Sequence, residues 1–159
     1  MSAKYKASDI AAWLINRDNQ EENRKERIST LKLMQLLYYC YGCFLAIDEI
    51  KLFPEEIHAW EEGAVVEEVY NIFKEVPYDK VSEHVHLLNK QPIDSYDEEL
   101  LEQTYDIFGK NYTARELVDK THRELPWLRA TKYGEYLKGA AIEPEEIQDY
   151  FKKYYIKAA

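Results

Sequence analysis

Two cysteines with the spacing of a redox or zinc site are the first residues here that could do chemistry. Cys40 and Cys43 form a C-x-x-C pair and are the only cysteines of the chain. A structural zinc site normally takes four ligands, and the sequence holds neither a second C-x-x-C nor an H-x-x-x-H. One pair is also too few for the disulfide framework of a small secreted domain. We therefore interpret the pair as small buried thiols in a reducing compartment.

The histidines suggest two further kinds of chemistry, metal binding and acid–base catalysis. His84 and His86 would share one face of a strand, where a third ligand could complete a metal site, although a solvent-facing strand has the same pattern. His122, in the sequence THRELPW, has the unperturbed pKa of about 6.5 that suits a general base. Hydrolysis also needs a nucleophile or metal and an orienting carboxylate, and no motif supplies that set. We expect His122 to cap or pack near Trp127, and we predict no enzyme activity, no metal and no cofactor.

Length, composition and charge narrow the class of protein. The 159 residues suit one domain, predicted over 1–159, and 46% hydrophobic with 32% charged residues is typical of a globular chain. The net charge of −9 repels phosphate backbones and favours basic partners, so we expect no nucleic acid as a ligand. The sequence has no apolar signal region and no uncharged apolar segment of about 18 residues. We predict a cytoplasmic protein that does not span a membrane.

The first half of the chain predicts a short helix, a connector and a long central helix. Ser8 is the predicted cap of the short helix, and residues 17–27, with eight charged residues in eleven, predict a solvated helix end and connector. Thr30 is the predicted cap of a helix that reaches Ile47 and is apolar on nearly every side, which is typical of a helix packed on all faces. Its three tyrosines cannot all face one side, so at least one is expected to reach the surface or a groove. These are Tyr38, Tyr39 and Tyr41.

A short strand over 57–60, a turn at Gly63 and a helix reaching Phe73 are predicted next. The alternation in 81–88 predicts a second strand that pairs with the first. Three later helices follow from capping boxes, Ser95 with Glu98 and Thr113 with Glu116, and from Pro144 in a first turn. The first of these is predicted to stop at Gly109, the second before Pro126, and the last to bury Ile147, Phe151 and Tyr154. The predicted fold is mainly α, a single compact helical domain of about six helices, allowing for a small two-stranded β element.

Three stretches in order resemble the Panacea domain of the SocA-like family. They are ASDIAAWLI, then ISTLKLMQLLYYCYGCFLAI leading to IHAWEEGAVVEEVY, and finally YTARELVDKTHRELPW. The family typically shows KLQKLLYYAQG, EAWKYGPVVPEVY and LSDLTHEEDPW in these places. The matching positions are Lys32, Leu33, Leu36, Leu37, Tyr38, Tyr39, Gly42, Trp60, Gly63, Val65, Val66, Tyr70, Thr121, His122, Pro126 and Trp127.

The resemblance implies an antitoxin that binds a protein toxin encoded by an adjacent gene, often on a prophage or another mobile element. One family member resembles a proteolytic adaptor that presents its toxin to a protease. The usual Tyr-Gly-Pro-Val is Glu-Gly-Ala-Val at residues 62–65 here, so the turn loses a rigid proline and gains an acidic residue. We expect partner choice to differ at that turn.

The sequence also suggests which residues contact the partner. Tyrosine and tryptophan are enriched at protein interfaces, and the 14 tyrosines here are an excess. Acidic residues near the turn would steer a basic toxin. The predicted partner-binding residues are Tyr38, Tyr41, Trp60, Glu61, Glu62, Val65, Glu67 and Tyr70.

The main hypothesis is an antitoxin that masks its toxin by direct binding. The alternatives are a proteolytic adaptor, a phage or mobile-element regulatory protein that binds DNA through a local basic patch, and a small hydrolase or metal enzyme that uses the histidines.

Overall fold

The computed structural model describes residues 3–88 and 90–156, and most of them are helical. The mainly α fold with a small β element is confirmed. The α-helices are α1 (Ala7–Asn19), α2 (Thr30–Asp48), α3 (Glu67–Phe73), α4 (Ser95–Thr104), α5 (Ala114–Thr121), α6 (Leu125–Ala130) and α7 (Pro144–Tyr154). The strands are β1 (His58–Trp60), β2 (Gly63–Val65) and β3 (Ala140–Ala141). Two 3₁₀ segments, Tyr78–Glu83 and Val85–Leu87, precede α4, and a π-helical turn, Tyr105–Gly109, continues it.

Helix α2 is the centre of the core, as its sequence predicts. Every residue from Lys32 to Ala46 is buried, and the helix contacts α1, α4, α5, α7 and β2. Among the described residues, α2 is the one helix long and apolar enough to cross a membrane. However, 83% of its most apolar 18-residue segment is buried inside the protein. This burial is that of a core helix.

The prediction that at least one tyrosine of α2 reaches the surface or a groove is confirmed through Tyr41, which lines a groove with Pro54 and Ile142. Tyr38 and Tyr39 are fully buried and Tyr41 is 3% exposed. A helical wheel shows that these rings point in different directions, but it does not show that other elements cover α2 on every side. The rings pack against Phe108, Phe151 and Phe53.

Helix α7 packs along α2 through a contact between a glycine and a phenylalanine. The ring of Phe151 lies over Gly42 so closely that a Cβ at residue 42 would come within 2.4 Å of it. Pro144 occupies the first turn of α7 as predicted, and Ile147 and Phe151 are buried. The predicted burial of Tyr154 is wrong, because its side chain is 56% exposed.

The three strands form an antiparallel sheet in the order β2-β1-β3. β1 pairs with β2 across a two-residue turn, Glu61 and Glu62, and with β3 on its other side. The strand predicted over 81–88 is wrong, since that segment forms the two 3₁₀ segments. Its alternation of apolar and polar residues is therefore not a strand pattern, and the strand that pairs with β1 begins at the predicted turn residue Gly63.

The helix starts follow local capping, with three shifts and one omission. Ser29 rather than Thr30 caps α2, because its side chain accepts from the Lys32 N–H. The Thr113 capping box is confirmed, but α1 begins at Ala7, with Asp9 accepting from the backbone N–H of Lys6, and Asp94 rather than Ser95 caps α4. Helix α6 is not predicted from the sequence, because Pro126 is also a signal for the end of the preceding helix. Proline fits the first turn of a helix, and this is the position that Pro126 occupies.

A buried lysine joins the start of α2 to two other segments. The ammonium of Lys32 donates to the backbone carbonyls of Glu26 (2.5 Å) and Gly109 (2.7 Å), and burial lowers the pKa of Lys32. The connector before α2 is therefore held in place rather than freely solvated. Asp18, which was predicted to be solvated, is fully buried and accepts from the Tyr105 hydroxyl and the Ile28 N–H.

Candidate partner-binding site

A surface groove lies beside the β1–β2 turn and contains four of the eight predicted partner-binding residues. It has a volume of about 430 Å³ and is mainly apolar. We call it the hairpin groove. It is lined by Thr30, Leu31, Met34, Trp60, Glu62, Val65, Tyr70, Phe73, Lys74, Val76 and Tyr78.

The hairpin groove has a buried apolar floor and aromatic walls. Met34, Val65 and Phe73 are buried beneath it. The half-buried rings of Trp60 and Tyr70 meet edge to face with centroids 5.1 Å apart. The Tyr78 side chain, which sequence reasoning did not select, is 72% exposed at its edge. A flexible methionine floor with aromatic walls is suited to holding an apolar side chain from another molecule.

A glutamine of α2 holds the second strand of the hairpin in place. The side-chain amide of Gln35 donates to the Ala64 carbonyl (3.1 Å) and accepts from the Ala64 N–H (3.2 Å). The Gln35 amide therefore satisfies the hydrogen-bonding groups of Ala64 in β2, as a neighbouring strand would. Thr121 of α5 lies beside the same amide, with its Oγ1 3.4 Å from Gln35 Oε1.

The THRELPW segment holds the first strand and the turn. The Trp127 indole N–H donates to the Trp60 carbonyl (2.9 Å), and the His122 ring donates from Nε2 to the Glu61 carbonyl (2.7 Å). The His122 and Trp127 rings are also in contact, with centroids 4.3 Å apart, so the predicted packing of His122 near Trp127 is confirmed. Residues that carry the family resemblance thus position Trp60 and Glu61.

We expect Gly63→Ala to destabilise the protein by about 2 kcal/mol, since alanine at a positive φ costs ~1 kcal/mol or more and the site has no space. Gly63 has φ +97°, and a Cβ there would lie 2.5 Å from Gln35 Oε1. Gly134→Ala is the matched control, because Gly134 has φ +91° but no atom within 4 Å of the added methyl. Urea unfolding followed by circular dichroism measures both variants. Equal losses in the two variants would contradict the role given to Gln35.

A buried carboxyl joins α2, α6 and the end of α7 behind the hairpin. Glu124 is 2% exposed and accepts from the hydroxyls of Tyr38 (3.3 Å), Tyr39 (3.3 Å) and Tyr155. Burial raises the pKa of Glu124, and it raises the pKa of Tyr38 well above its usual value. This carboxyl is closed off from solvent, and its hydrogen bonds fix the positions of the three tyrosine hydroxyls.

The hairpin groove lies in an acidic surface whose carboxylates have few partners inside the protein. Among the described residues, Glu61 and Glu67 form no salt bridge, whereas Glu62 pairs with Arg115 at 3.3 Å. Glu67 lies on the same face of α3 as Tyr70, three residues later, and Lys74 follows the last residue of the helix. Lys74 is the basic residue among the groove's lining.

Two predicted contact residues lie outside this surface. Tyr38 is fully buried, whereas Tyr41 is 3% exposed and lines a different groove beside Pro54, so neither lies in the hairpin groove. Trp60, Glu62, Val65 and Tyr70 line the groove, with Val65 at its buried floor, and Glu61 is exposed at the turn.

The cysteine pair and the histidine pair are the residues that the sequence offers for redox chemistry or metal binding. Cys40 and Cys43 are free and buried, and burial raises the pKa of the Cys43 thiol to about 12. His84 lies between the two 3₁₀ segments and His86 lies in the second, with ring centroids 5.7 Å apart. Within residues 3–88 and 90–156, no three His, Cys, Asp or Glu side chains are grouped as metal ligands.

Comparison with protein families gives a match over the middle of the chain. A family model described as "Antitoxin SocA-like, Panacea domain" matches residues 33–128, which is more than half of the chain. The match begins in α2 and ends in α6, so it includes the lining of the hairpin groove except Thr30 and Leu31, together with the residues that hold the hairpin. No curated protein and no solved structure gives a significant match.

Proposed function

Since the chain belongs to the SocA-like antitoxin family with its Panacea domain, we propose that it neutralises a protein toxin by binding it directly. The toxin is a cognate protein encoded by an adjacent gene. In this proposal binding covers the surface that the toxin needs for its own action, and no chemical step is required. Residues 1–159 act as one domain in the cytoplasm, a compartment that suits two free, buried cysteines.

The observation that carries the proposal is the hairpin groove. Half-buried aromatic rings in an open apolar groove are the type of surface that supplies most of the binding energy at protein interfaces. The surrounding carboxylates would speed the encounter with a basic toxin and select against acidic proteins. The hydrogen bonds from Gln35, His122 and Trp127 hold the hairpin before the partner arrives, which lowers the entropic cost of binding.

Co-expression with the product of the neighbouring gene tests the proposal. Growth rescue together with a stable co-purified complex supports masking. Rescue without a stable complex, with protease-dependent loss of the neighbouring protein, would instead support the proteolytic adaptor. If neither rescue nor a complex is observed, the antitoxin proposal is wrong.

We expect Tyr70→Ala to weaken binding of the toxin by about tenfold or more, because truncating a central aromatic contact commonly costs upward of ~1–2 kcal/mol. Tyr96→Ala is the matched control, since Tyr96 is an exposed tyrosine of α4 that does not line the groove. Isothermal titration calorimetry with the purified toxin measures both affinities. Unchanged affinity in Tyr70→Ala, with both variants folded, would place the interface elsewhere.

A further inference from the structure

The hairpin groove also indicates the chemistry of the segment that enters it, an inference that rests on the proposed function. Its volume of about 430 Å³ is typical of a ligand pocket, for which ~300–1,000 Å³ is usual. The polar groups that line it, Thr30, Glu62 and Lys74, are partly or fully exposed, while Met34, Val65 and Phe73 are buried. A buried apolar floor suits an apolar side chain better than a polar one, because a polar group would lose its water there without gaining a hydrogen bond.

The charges around the groove are unbalanced. Residues 61–79 contain six carboxylates and one lysine, Lys74. Five of these carboxylates have no side-chain hydrogen bond or salt bridge among the described residues. They are Glu61, Glu67, Glu68, Glu75 and Asp79.

Carboxylates on other surfaces of the chain are more often paired. Glu21, Glu102 and Asp106 interact with Arg17, and Glu116 interacts with Lys25. The surface around the groove therefore retains negative charge that basic groups from outside could balance. A lysine or arginine placed there would gain electrostatic attraction without breaking an internal ion pair of Glu61 or Glu67.

We propose that the hairpin groove binds a short segment of the toxin in which one large apolar side chain enters between Trp60 and Tyr70. A lysine or arginine close to that side chain in the segment pairs with Glu61 or Glu67. Glu61 lies next to Trp60 in the chain, and Glu67 lies one helical turn before Tyr70, so both carboxylates flank the two aromatic walls.

Selection from a phage-displayed library of random 12-residue peptides against the full chain tests this proposal. We expect enriched peptides that combine a large apolar residue with a nearby lysine or arginine. Their affinity should fall by at least tenfold in Tyr70→Ala and in the double variant Glu61→Lys with Glu67→Lys, and it should weaken as the salt concentration rises. Circular dichroism melts confirm that each variant is folded.

A matched control uses the double variant Glu99→Lys with Asp149→Lys, which makes the same change in net charge at exposed carboxylates of α4 and α7 that form no ion pair with any residue the structure describes. Peptide binding should be nearly unchanged in it. Equal loss in both double variants would show only a general response to net charge and would overturn the proposal. Enrichment of acidic or uncharged peptides, binding that survives Tyr70→Ala, or no enrichment would overturn it too.

The peptide selection and the co-expression experiment can fail independently of each other. If co-expression gives no rescue while the selected peptides bind as described, the groove is a docking site but the antitoxin proposal fails. If rescue occurs while the selected peptides do not depend on the groove, the antitoxin proposal stands and this inference fails.

Discussion

Gly42→Val should lower the free energy of unfolding by about 3 kcal/mol, the upper part of the ~1–3 kcal/mol range that overpacking of a core usually costs. A Cβ at this position would lie 2.4 Å from the Phe151 ring. The ring is fully buried and in contact with Tyr38, Tyr39 and Tyr155, so it has no space to move aside. Helix α7 must therefore shift away from α2. Urea unfolding measured by circular dichroism gives the free energy.

A double-mutant cycle separates this clash from the intrinsic effect of valine on α2. Phe151→Ala alone should cost about 3–5 kcal/mol through the cavity it leaves. Once the ring is absent, adding Gly42→Val should cost much less than it does in the native background. If the two losses simply add, the contact between Gly42 and Phe151 does not limit the packing of α7.

Glu124→Ala should lower the free energy of unfolding by about 3 kcal/mol or more, because each buried hydroxyl left without an acceptor costs ~1–3 kcal/mol. Tyr38 and Tyr155 would each lose the hydrogen bond to Glu124, while Tyr39 would keep its contact with Thr121 at 3.2 Å. Thermal and urea unfolding measure the loss. Tyr39→Phe is a milder control, since it removes one hydroxyl and leaves no cavity.

Glu124→Gln tests how the Glu124 carboxyl makes the stability of the protein depend on pH. Burial raises the pKa of Glu124 above its ordinary value of 4.5, so the folded protein binds the proton more tightly than the unfolded chain does. Its contribution to stability is therefore complete below pH 4.5 and decreases as the pH rises through the folded-state pKa. The stability of the native protein relative to Glu124→Gln should fall with pH in that interval. A constant difference from about pH 4 to about pH 8 would contradict the raised pKa.

Local signals in the sequence predicted the elements that depend on local interactions. The Thr113 capping box, Pro144 and the apolar run of α2 each specify their helix through neighbouring residues. The β2 strand is not predicted from the sequence, because it has only three residues and all are buried. It therefore shows no alternation of apolar and polar residues. β3 has only two residues, and it forms because these residues pair with the free edge of β1.

Only part of the candidate site is predicted from the sequence, because local patterns do not show which distant elements pack together. Trp60 and Tyr70 stand out as aromatics beside a turn, but the groove also needs Met34 from α2 and Tyr78 from the segment after α3. Those contacts depend on how distant elements pack, which no local pattern encodes. Glu124 likewise gave no signal, because its three tyrosine partners lie 85, 86 and 31 residues away.

The pairing of α2 with α7 has a consequence for how the protein folds during its synthesis. Gln148 and Lys152 of α7 bond to Leu45 and Glu49 across 103 residues of chain. Contacts between such distant segments require closure of a long loop, which slows folding. Translation must also reach Tyr155 before the aromatic side of α2 is covered and Glu124 gains its third hydroxyl. A nascent chain that has not yet reached α7 therefore exposes apolar surface to proteases and chaperones.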